Sequence, residues 1–558
     1  MKSRKMAHFI LGLALMVSMG ATEVGALSEP AKGEVLASCE GSGGVTKVSE
    51  RGPYEVGQTR VVELKSKVDG TIIQVGFVRP DAPASYRSPV IAVAFIPTRG
   101  AGGTDSCADL MGDKERSDLD QAVSWLGSAR WSNGNVGMFG ASYDGGTQWE
   151  VASTGNPHLK TIVPVAAVHN WFDLLFYRGR NDTRWPIIGA FYFHVFGHAL
   201  TNPLTGREVD RYAGSFSCDN LDEAYLAAED SYRTGEYDQY GFWKERNLDP
   251  LIKANYDGSV LLVQGLQDWN VDPDHQYPFV NQLRNRGLHV KQMIGQWEHE
   301  FPDWGIGGRG DFADVLLRWY DRWLKGDRTA RIGPRVEVQD SDLRWRTEPS
   351  WPPRRGATQE TFFLSADGTM RRQPRHRTAT ATLGPGSRNR YFYLNNQNFV
   401  HNELPIDRVC ATCAVFTHDV TAKDLRIVGS PSLDLRLTPR GPSGHVAAYV
   451  FRVDAEDGRH LIGWGASDLR FPRGGYRAQP VVPGETIQMK LPIQPLDAVI
   501  HKGEQLMILL DQGHADHVPG FPFFPVDLEY GSGLGTLKFL EDEPRKRQFF
   551  EPPPTPGL

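Results

Sequence analysis

The sequence predicts an α/β domain with an inserted helical cap, followed by a C-terminal β-sandwich. Three observations carry that prediction. Between Thr59 and Gly295, apolar runs of strand length alternate with stretches of helical spacing. From about Asn170 to Pro250 that alternation gives way to aromatic-rich, helix-like text such as "WFDLLFYRGRNDTRWP" and "LDEAYLAAEDSYRTG". From about Val336 to Glu541 the chain becomes a series of short period-two segments separated by turns.

Taken in order, "TRVVELKSKVDGTIIQVGFVRP" alternates polar and apolar around Asp69-Gly70 and reads as two strands joined by a tight turn. "SPVIAVAFIP" reads as one continuous apolar strand, of the kind buried on both faces of a parallel sheet. "SDLDQAVSWLGSA" places Leu119, Ala122, Val123 and Leu126 on one helical face. Val136 to Phe139 is the next strand, and "KTIVPVAAV", "SVLLVQG" and "HVKQMIG" are later ones. "VLLRWYDRWLKG" reads as a final amphipathic helix. "SLDLRLTP", "VAAYVFRVD", "ETIQMKLPI" and "EQLMILLDQ" are strands of the sandwich, with Leu433, Leu435 and Leu437 on one face. The expected organisation is a signal peptide over 1–26, the α/β domain over 55–334 with its cap at about 170–250, the sandwich over 335–545, and a disordered tail over 546–558.

The chain has 558 residues, 40% of them hydrophobic and 23% charged, with a formal net charge of -6. That charge, with no basic cluster beyond the N-terminus, points away from nucleic acid or an anionic membrane as partner. Lys2, Arg4 and Lys5 precede an apolar run from about Ala7 to Met19, and Val24-Gly25-Ala26 supplies the small residues of a cleavage site. This is an export signal and not a membrane span, so a secreted or periplasmic location is expected. "LASC", ending at Cys39, resembles a lipid-attachment box, but Glu23, Glu29, Lys32 and Glu34 separate it from the apolar run. Of the five cysteines, Cys410 and Cys413 are spaced for a local disulfide or a metal half-site, and Cys107 and Cys218 for a longer bridge. With no second Cys/His pair close by, no metal site is expected, and no cofactor motif is present.

The chemistry centres on "GMFGASYDGGTQW", in which Ser142 lies between Gly140 and the pair Gly145-Gly146, directly behind a strand. A strand, tight turn and helix start would lift that hydroxyl onto an exposed, strained corner and make Ser142 a candidate nucleophile. A serine needs a base, and the base an orienting acid. Asp268 follows the strand "SVLLVQG" and His299 follows the strand "HVKQMIG", each a few residues on, at the carboxyl edge where α/β sheets bind ligands. The order Ser, Asp, His is that of α/β-hydrolases. Glu298, Asp303, Asp272 and Asp274 are the alternative acids nearby.

The same stretches carry a family resemblance. "GMFGASYDGGTQW" and "GLQDWNV" resemble the nucleophile corner and acid loop of the X-prolyl dipeptidyl peptidase and cocaine esterase family. "RGAGGTDSC" resembles its glycine-rich turn, and "GWGASDLRF" and "LPIQPLDAVIHKGEQLMILL" its C-terminal jelly roll. The resemblance spans about Thr59 to Glu541. It implies a capped α/β-hydrolase with a jelly roll, cleaving small ester or peptide substrates through an acyl-enzyme. In it Ser142 is the nucleophile, His299 the general base and acid, Asp268 the orienting carboxylate, and the backbone N–H of Tyr143 an oxyanion donor. One departure stands out. "SPVIAVAFIPTRGAGGTDSC" fuses two strands that the family separates by a segment bearing an oxyanion-binding tyrosine, and no tyrosine lies between Tyr86 and Tyr143.

These readings lead to an exported X-prolyl dipeptidyl peptidase-like serine hydrolase. The alternatives are an acyl esterase or α-amino-acid ester hydrolase, and a degenerate hydrolase serving as a secreted binding protein. A dipeptidyl peptidase must hold a substrate α-ammonium, for which the cap offers Asp173, Asp182, Glu223 and Glu229.

Overall fold

The computed structural model describes residues 56–553 except 82, 84–86, 91–93, 97, 100–107, 178–218, 235, 238–240, 269, 300, 304–307, 385–411, 513–523 and 543–548. The signal peptide read over 1–26 lies outside these residues, as do Cys39, Cys107, Cys218, Cys410 and Asp182.

Ten strands and eight helices position the site. β1 (Val56–Lys65) and β2 (Ile72–Pro80) form the predicted hairpin, with Lys65 opposite Ile72 and Gly70 at φ +79° in the turn. β3 (Ser88–Val90) and β4 (Ala94–Phe95) follow. α1 (Asp113–Ser128), β5 (Ser132–Ala141), α2 (Tyr143–Thr154) and β6 (Leu159–Val165) alternate as the spacing requires. The cap contributes α3 (Trp171–Leu175), α4 (Asp219–Thr234), α5 (Phe242–Glu245) and α6 (Asp249–Asn255). The sheet resumes with β7 (Ser259–Gly265), α7 (Pro273–Asn285), β8 (Val290–Gly295), α8 (Phe312–Leu324), β9 (Val336–Gln339) and β10 (Trp345–Glu348).

The main sheet runs β10-β9-β8-β7-β6-β5-β3, parallel throughout except between β9 and β10. β7 and β8 are buried along their whole length, which accounts for their mainly apolar text, and the few polar residues in them, Lys291 and Gln292 among them, are buried too. Trp149 of α2 and Trp319 of α8, both 0% exposed, lie in separate apolar clusters that contain residues of this sheet. Removing a side chain such as Leu262 from this core costs about 2–5 kcal/mol.

Three expectations are corrected here. The single strand read through "SPVIAVAFIP" is two short strands in different sheets, β3 pairing in parallel with β5 and β4 antiparallel with β2. An apolar run does not say which sheet it enters. The sandwich border expected at 335 also shifts, because β9 and β10 extend the α/β sheet beside β8. Period-two text fits either sheet equally. Of the tail expected over 546–558, the described residues 549–553 are ordered against the fold, since Phe549–Phe550 pairs with β10 and Gly310 N–H donates to Pro553 O at 3.0 Å.

In the sandwich, the long strand Leu425–Pro439 is the hub of one sheet, pairing with Ile487–Pro492, Leu496–Ile500, Val526–Gly531 and Thr536–Asp542. The second sheet orders Ala414–Asp419, Gln505–Asp511, His445–Val453 and Arg459–Asp468. Leu433, Leu435 and Leu437 all face the core, as strict alternation dictates. Cys413, at the edge of this sheet, is disulfide-bonded.

Candidate active site

Ser142 sits between the last residue of β5 and the first of α2, at φ 60° and ψ -122°. A non-glycine residue is held in this sparsely populated region only where its surroundings over-determine it. Here the corner is pinned on both sides. Ser142 N–H donates to Val165 O of β6 at 2.9 Å, and Gly146 N–H donates to Ser142 O at 3.0 Å. Gly145 is required by close approach, because a Cβ there would lie 2.6 Å from the Ala167 Cβ and 2.9 Å from the Val165 carbonyl oxygen. The first N–H groups of α2, beginning with Tyr143, have no acceptor within the helix and lie beside the serine, where the positive end of the helix dipole favours a negative oxygen.

Asp268 and His299 meet at the same carboxyl edge, beyond β7 and β8. The ladder between those strands continues past their ends, Leu266 N–H donating to Gly295 O at 2.7 Å and Gln267 N–H to Trp297 O at 3.2 Å. Gly265 permits this, since a Cβ would fall 2.0 Å from the Trp297 carbonyl oxygen. Asp268 is 2% exposed, and its Oδ1 accepts the N–H groups of Asn270 and Val271 at 2.9 and 2.8 Å. Gln264 donates to its Oδ2 at 3.2 Å. The ring of His299 brings Nδ1 to 3.0 Å from Asp268 Oδ2 and 3.2 Å from Oδ1. A carboxylate only accepts, so Nδ1 carries the proton and Nε2 is left as the basic nitrogen. The His299 side chain is 19% exposed, open enough to exchange a proton with a bound substrate.

Of the four residues singled out from sequence, the structure brings Asp268 and His299 into direct hydrogen bond. It places Ser142 and Tyr143 two strands away on the same sheet edge, at the turn from β5 into α2. The alternative acids do not replace Asp268 as the partner of His299 Nδ1. The glycine-rich turn lies outside the described residues beyond Arg99. That arginine is 2% exposed and pairs with Asp69 at 2.7 Å and Asp118 at 2.6 Å, anchoring the start of the turn to the β1–β2 loop and to α1. β3 and β4 are separated by three residues, so the helix that would carry a second oxyanion tyrosine has no room there.

Sequence reasoning did not find the polar cluster behind the corner. Glu115 of α1 and Glu150 of α2 are 1% and 0% exposed. Tyr143 O–H donates to Glu115 at 2.8 Å, and Met111 N–H donates to the same hydroxyl at 3.1 Å. Burial, with the charge of Asp109, outweighs the Tyr143 and Glu150 hydrogen bonds and pushes Glu115 up to about 7. Burial and the charge of Glu115 raise Glu150 further. Glu150, seven residues beyond Tyr143, is on the same helical face, and that spacing was the one available signal.

Of the cap carboxylates, Glu223 and Glu229 are exposed on α4. Asp173 lies on α3, directly after β6, and its Oδ2 accepts the hydroxyl of Tyr476 at 3.2 Å. Tyr476 belongs to a sandwich loop that packs on the cap, with its ring 5.0 Å from that of Tyr237 and 5.7 Å from that of Phe172. Trp171, two residues before Asp173, has its ring 6.3 Å from that of Tyr143. Among the described residues no group of His, Cys, Asp and Glu could hold a metal ion, and no helix is long and apolar enough to cross a membrane.

Residues 69–300 match the X-Pro dipeptidyl-peptidase (S15 family) domain, and residues 331–530 match the X-Pro dipeptidyl-peptidase C-terminal non-catalytic domain. A relative from Bacillus cereus is 26% identical over 445 residues, covering 76% of this chain and 71% of its own length. The Xaa-Pro dipeptidyl-peptidase of Lactobacillus delbrueckii subsp. lactis is 30% identical over 266 residues, 43% of this chain and 30% of its own. Among solved structures, an aminopeptidase from a marine sediment Thaumarchaeota archaeon superposes with a TM-score of 0.68 at 15% identity, covering 93% of this chain and 99% of its own. An alpha-amino acid ester hydrolase superposes at 0.63 and 16% identity, covering 91% and 98%. A CocE/NonD family hydrolase from Staphylococcus aureus superposes at 0.67 and 14% identity, covering 87% and 93%. These likenesses show a shared fold.

Proposed function

This chain belongs to the X-prolyl dipeptidyl peptidase and cocaine esterase family of α/β-hydrolases and is a serine hydrolase, and we propose that it releases X-Pro dipeptides from the amino end of short peptides through an acyl-enzyme on Ser142. Membership in a serine hydrolase family sets aside the binding-protein reading. The observation that carries the assignment is the His299–Asp268 hydrogen bond on the sheet edge that also bears the strained serine. In the proposed sequence, His299 Nε2 takes the Ser142 hydroxyl proton as Oγ attacks the scissile carbonyl. Asp268 holds the ring and stabilises the imidazolium, and the same proton passes to the leaving amine. The Tyr143 N–H receives the negative oxygen. Water then repeats the cycle on the acyl-enzyme.

Asp173 supports the peptidase reading, because a carboxylate that follows β6 at the sheet edge is placed to receive a substrate α-ammonium. The short β3–β4 connection favours the second reading, an acyl esterase. With one oxyanion donor lost, activated esters suffer less than amides because their leaving groups need less help. Comparing a Gly-Pro anilide with a short-chain aryl ester decides between them. A peptidase prefers the anilide, and Asp173→Asn raises KM for it alone. Preference for the aryl ester by orders of magnitude transfers the assignment to the esterase. For either substrate, Asp268→Asn is expected to lower kcat by about 10⁴ by permitting the wrong histidine tautomer. Near-full activity in that variant would remove Asp268 from the mechanism. Export is part of the proposal, supported by the N-terminal pattern and by a disulfide at Cys413, a bond favoured in oxidising compartments.

A further inference from the structure

The cluster behind the corner does none of the steps above, yet it contacts the residue that supplies the oxyanion donor. Tyr143 is clamped through its hydroxyl, which accepts from Met111 N–H and donates to Glu115. Met111 is itself held, since Leu110 and Met111 both adopt positive φ, at 50° and 62°, and Trp171 Nε1–H donates to the Met111 sulfur at 3.0 Å. Behind Glu115 comes Glu150, within hydrogen-bonding contact of it. Neither Glu150 oxygen has an N–H or O–H donor among the described residues. Two carboxyl groups in contact, one of them without any donor, can be joined only by an acid proton.

The neighbouring charges do not supply a substitute. The charge of Arg116 on α1 draws the pKa of Glu150 down in part without reversing the effect of burial, but its guanidinium pairs with Asp113 and donates to the Glu245 carbonyl oxygen at 3.2 Å, and it is hydrogen-bonded to neither Glu150 oxygen. Arg246 of the cap donates to the Asp109 carbonyl oxygen at 2.7 Å and to Glu245 at 3.2 Å. Asp109, before Leu110, adds a further negative charge facing Glu115.

We propose that Glu115 and Glu150 share a proton and act as a positioning pair for Tyr143, holding its backbone N–H where the oxyanion develops. The proposal rests on the reading of Ser142 as nucleophile. When the proton leaves to solvent, two carboxylates confront each other out of water, the contact breaks, and the anchor of the phenol shifts. A displacement of the donor by about 1 Å is enough to lower turnover by about 10². The pair therefore sets an alkaline limit on activity that no triad residue imposes.

The test follows kcat, KM and the rate of fluorophosphonate labelling against pH, from about 6 to about 10, for the full chain and two variants. In the wild type, kcat falls at least tenfold across the alkaline limb while KM moves little. Glu150→Gln donates its amide N–H to Glu115 without an acid proton, so its limb moves up by more than one pH unit. Tyr143→Phe removes the hydroxyl that reads the pair, lowers kcat about tenfold at neutral pH and abolishes the limb. An unshifted limb in Glu150→Gln overturns the proposal. Should Glu150→Gln not fold, a wild-type kcat and limb in Tyr143→Phe does so equally. Absence of labelling at every pH in folded wild type overturns the nucleophile reading instead, so the two failures are distinguishable.

Discussion

Asp497, at the junction of the α/β sheet and the sandwich, and Glu150, behind the nucleophile corner, are equally removed from water, at 1% and 0% exposure. Their surroundings differ in one respect. Asp497 accepts from Arg346 of β10, from Arg426 at 2.7 Å and from the Trp351 indole at 3.0 Å. Burial alone would raise its pKa, but the charges of the two arginines and these hydrogen bonds carry it below the ordinary value. Glu150 faces the carboxyl of Glu115, and burial with that repulsion outweighs the charge of Arg116 and raises its pKa well above the ordinary value. Burial alone therefore does not decide whether a carboxyl is charged; the balance of charges and hydrogen-bond donors around it does. The junction is a permanent ion network, whereas both carboxyls behind the nucleophile corner are raised, Glu115 to about 7 and Glu150 further.

The contrast can be broken most severely at the junction. Asp497→Asn removes the carboxylate between two buried arginines, leaving Arg346 with Glu348 and Arg426 with the more distant Asp340 and Asp542, and is expected to destabilise the fold by about 3–5 kcal/mol in denaturant titration. A loss below about 1 kcal/mol would mean that water reaches the arginines and that the junction is not sealed.

A second, smaller effect sharpens the other half. Glu115 has a folded-state pKa of about 7 against an ordinary 4.5, so the folded chain binds more protons than the unfolded one between those values. Stability is therefore fully present below about pH 4.5 and falls as pH rises towards 7, by on the order of 3 kcal/mol from this group alone. Asp497, with its lowered pKa, contributes the opposite slope in the acid range. Glu115→Gln should flatten the neutral slope, and an identical pH–stability curve in that variant would show that the carboxyl is already ionised in the fold.

The smallest expected effect is at Tyr143→Phe, which deletes one hydroxyl shared between Met111 N–H and Glu115. Stability should fall by about 1 kcal/mol, with a larger loss when combined with Gln at 115 only if the two act independently. Thermal unfolding of the two single variants and the double variant measures this directly.

How much of this was legible beforehand differs from residue to residue. Ser142 could be read because glycines and a strand-turn-helix pattern surround it over a few residues, and the corner is a local structure. Asp268 and His299 could be read because each lies in the loop just after a segment of strand length. The carboxyl pair could not. Glu115 sits in "DKERSDLD", which reads as a solvated helix start, and only the packing of α1 against α2 removes it from water. The split of "SPVIAVAFIP" between two sheets was hidden for a related reason, since backbone pairing partners are not encoded in an apolar run.

The sequence by itself determined most of the order of strands and helices, the α/β-then-sandwich plan and the positions of the candidate residues Ser142, Asp268 and His299, because periodicity and short-range motifs act within one element or turn. Tertiary structure alone decided that β9, β10 and Phe549–Phe550 complete the first sheet, that His299 Nδ1 faces Asp268, and that Asp497 meets arginines where Glu150 meets another acid. Those outcomes depend on which distant groups come within a few ångströms of one another in a medium of low dielectric. Spacing along the chain does not carry that information.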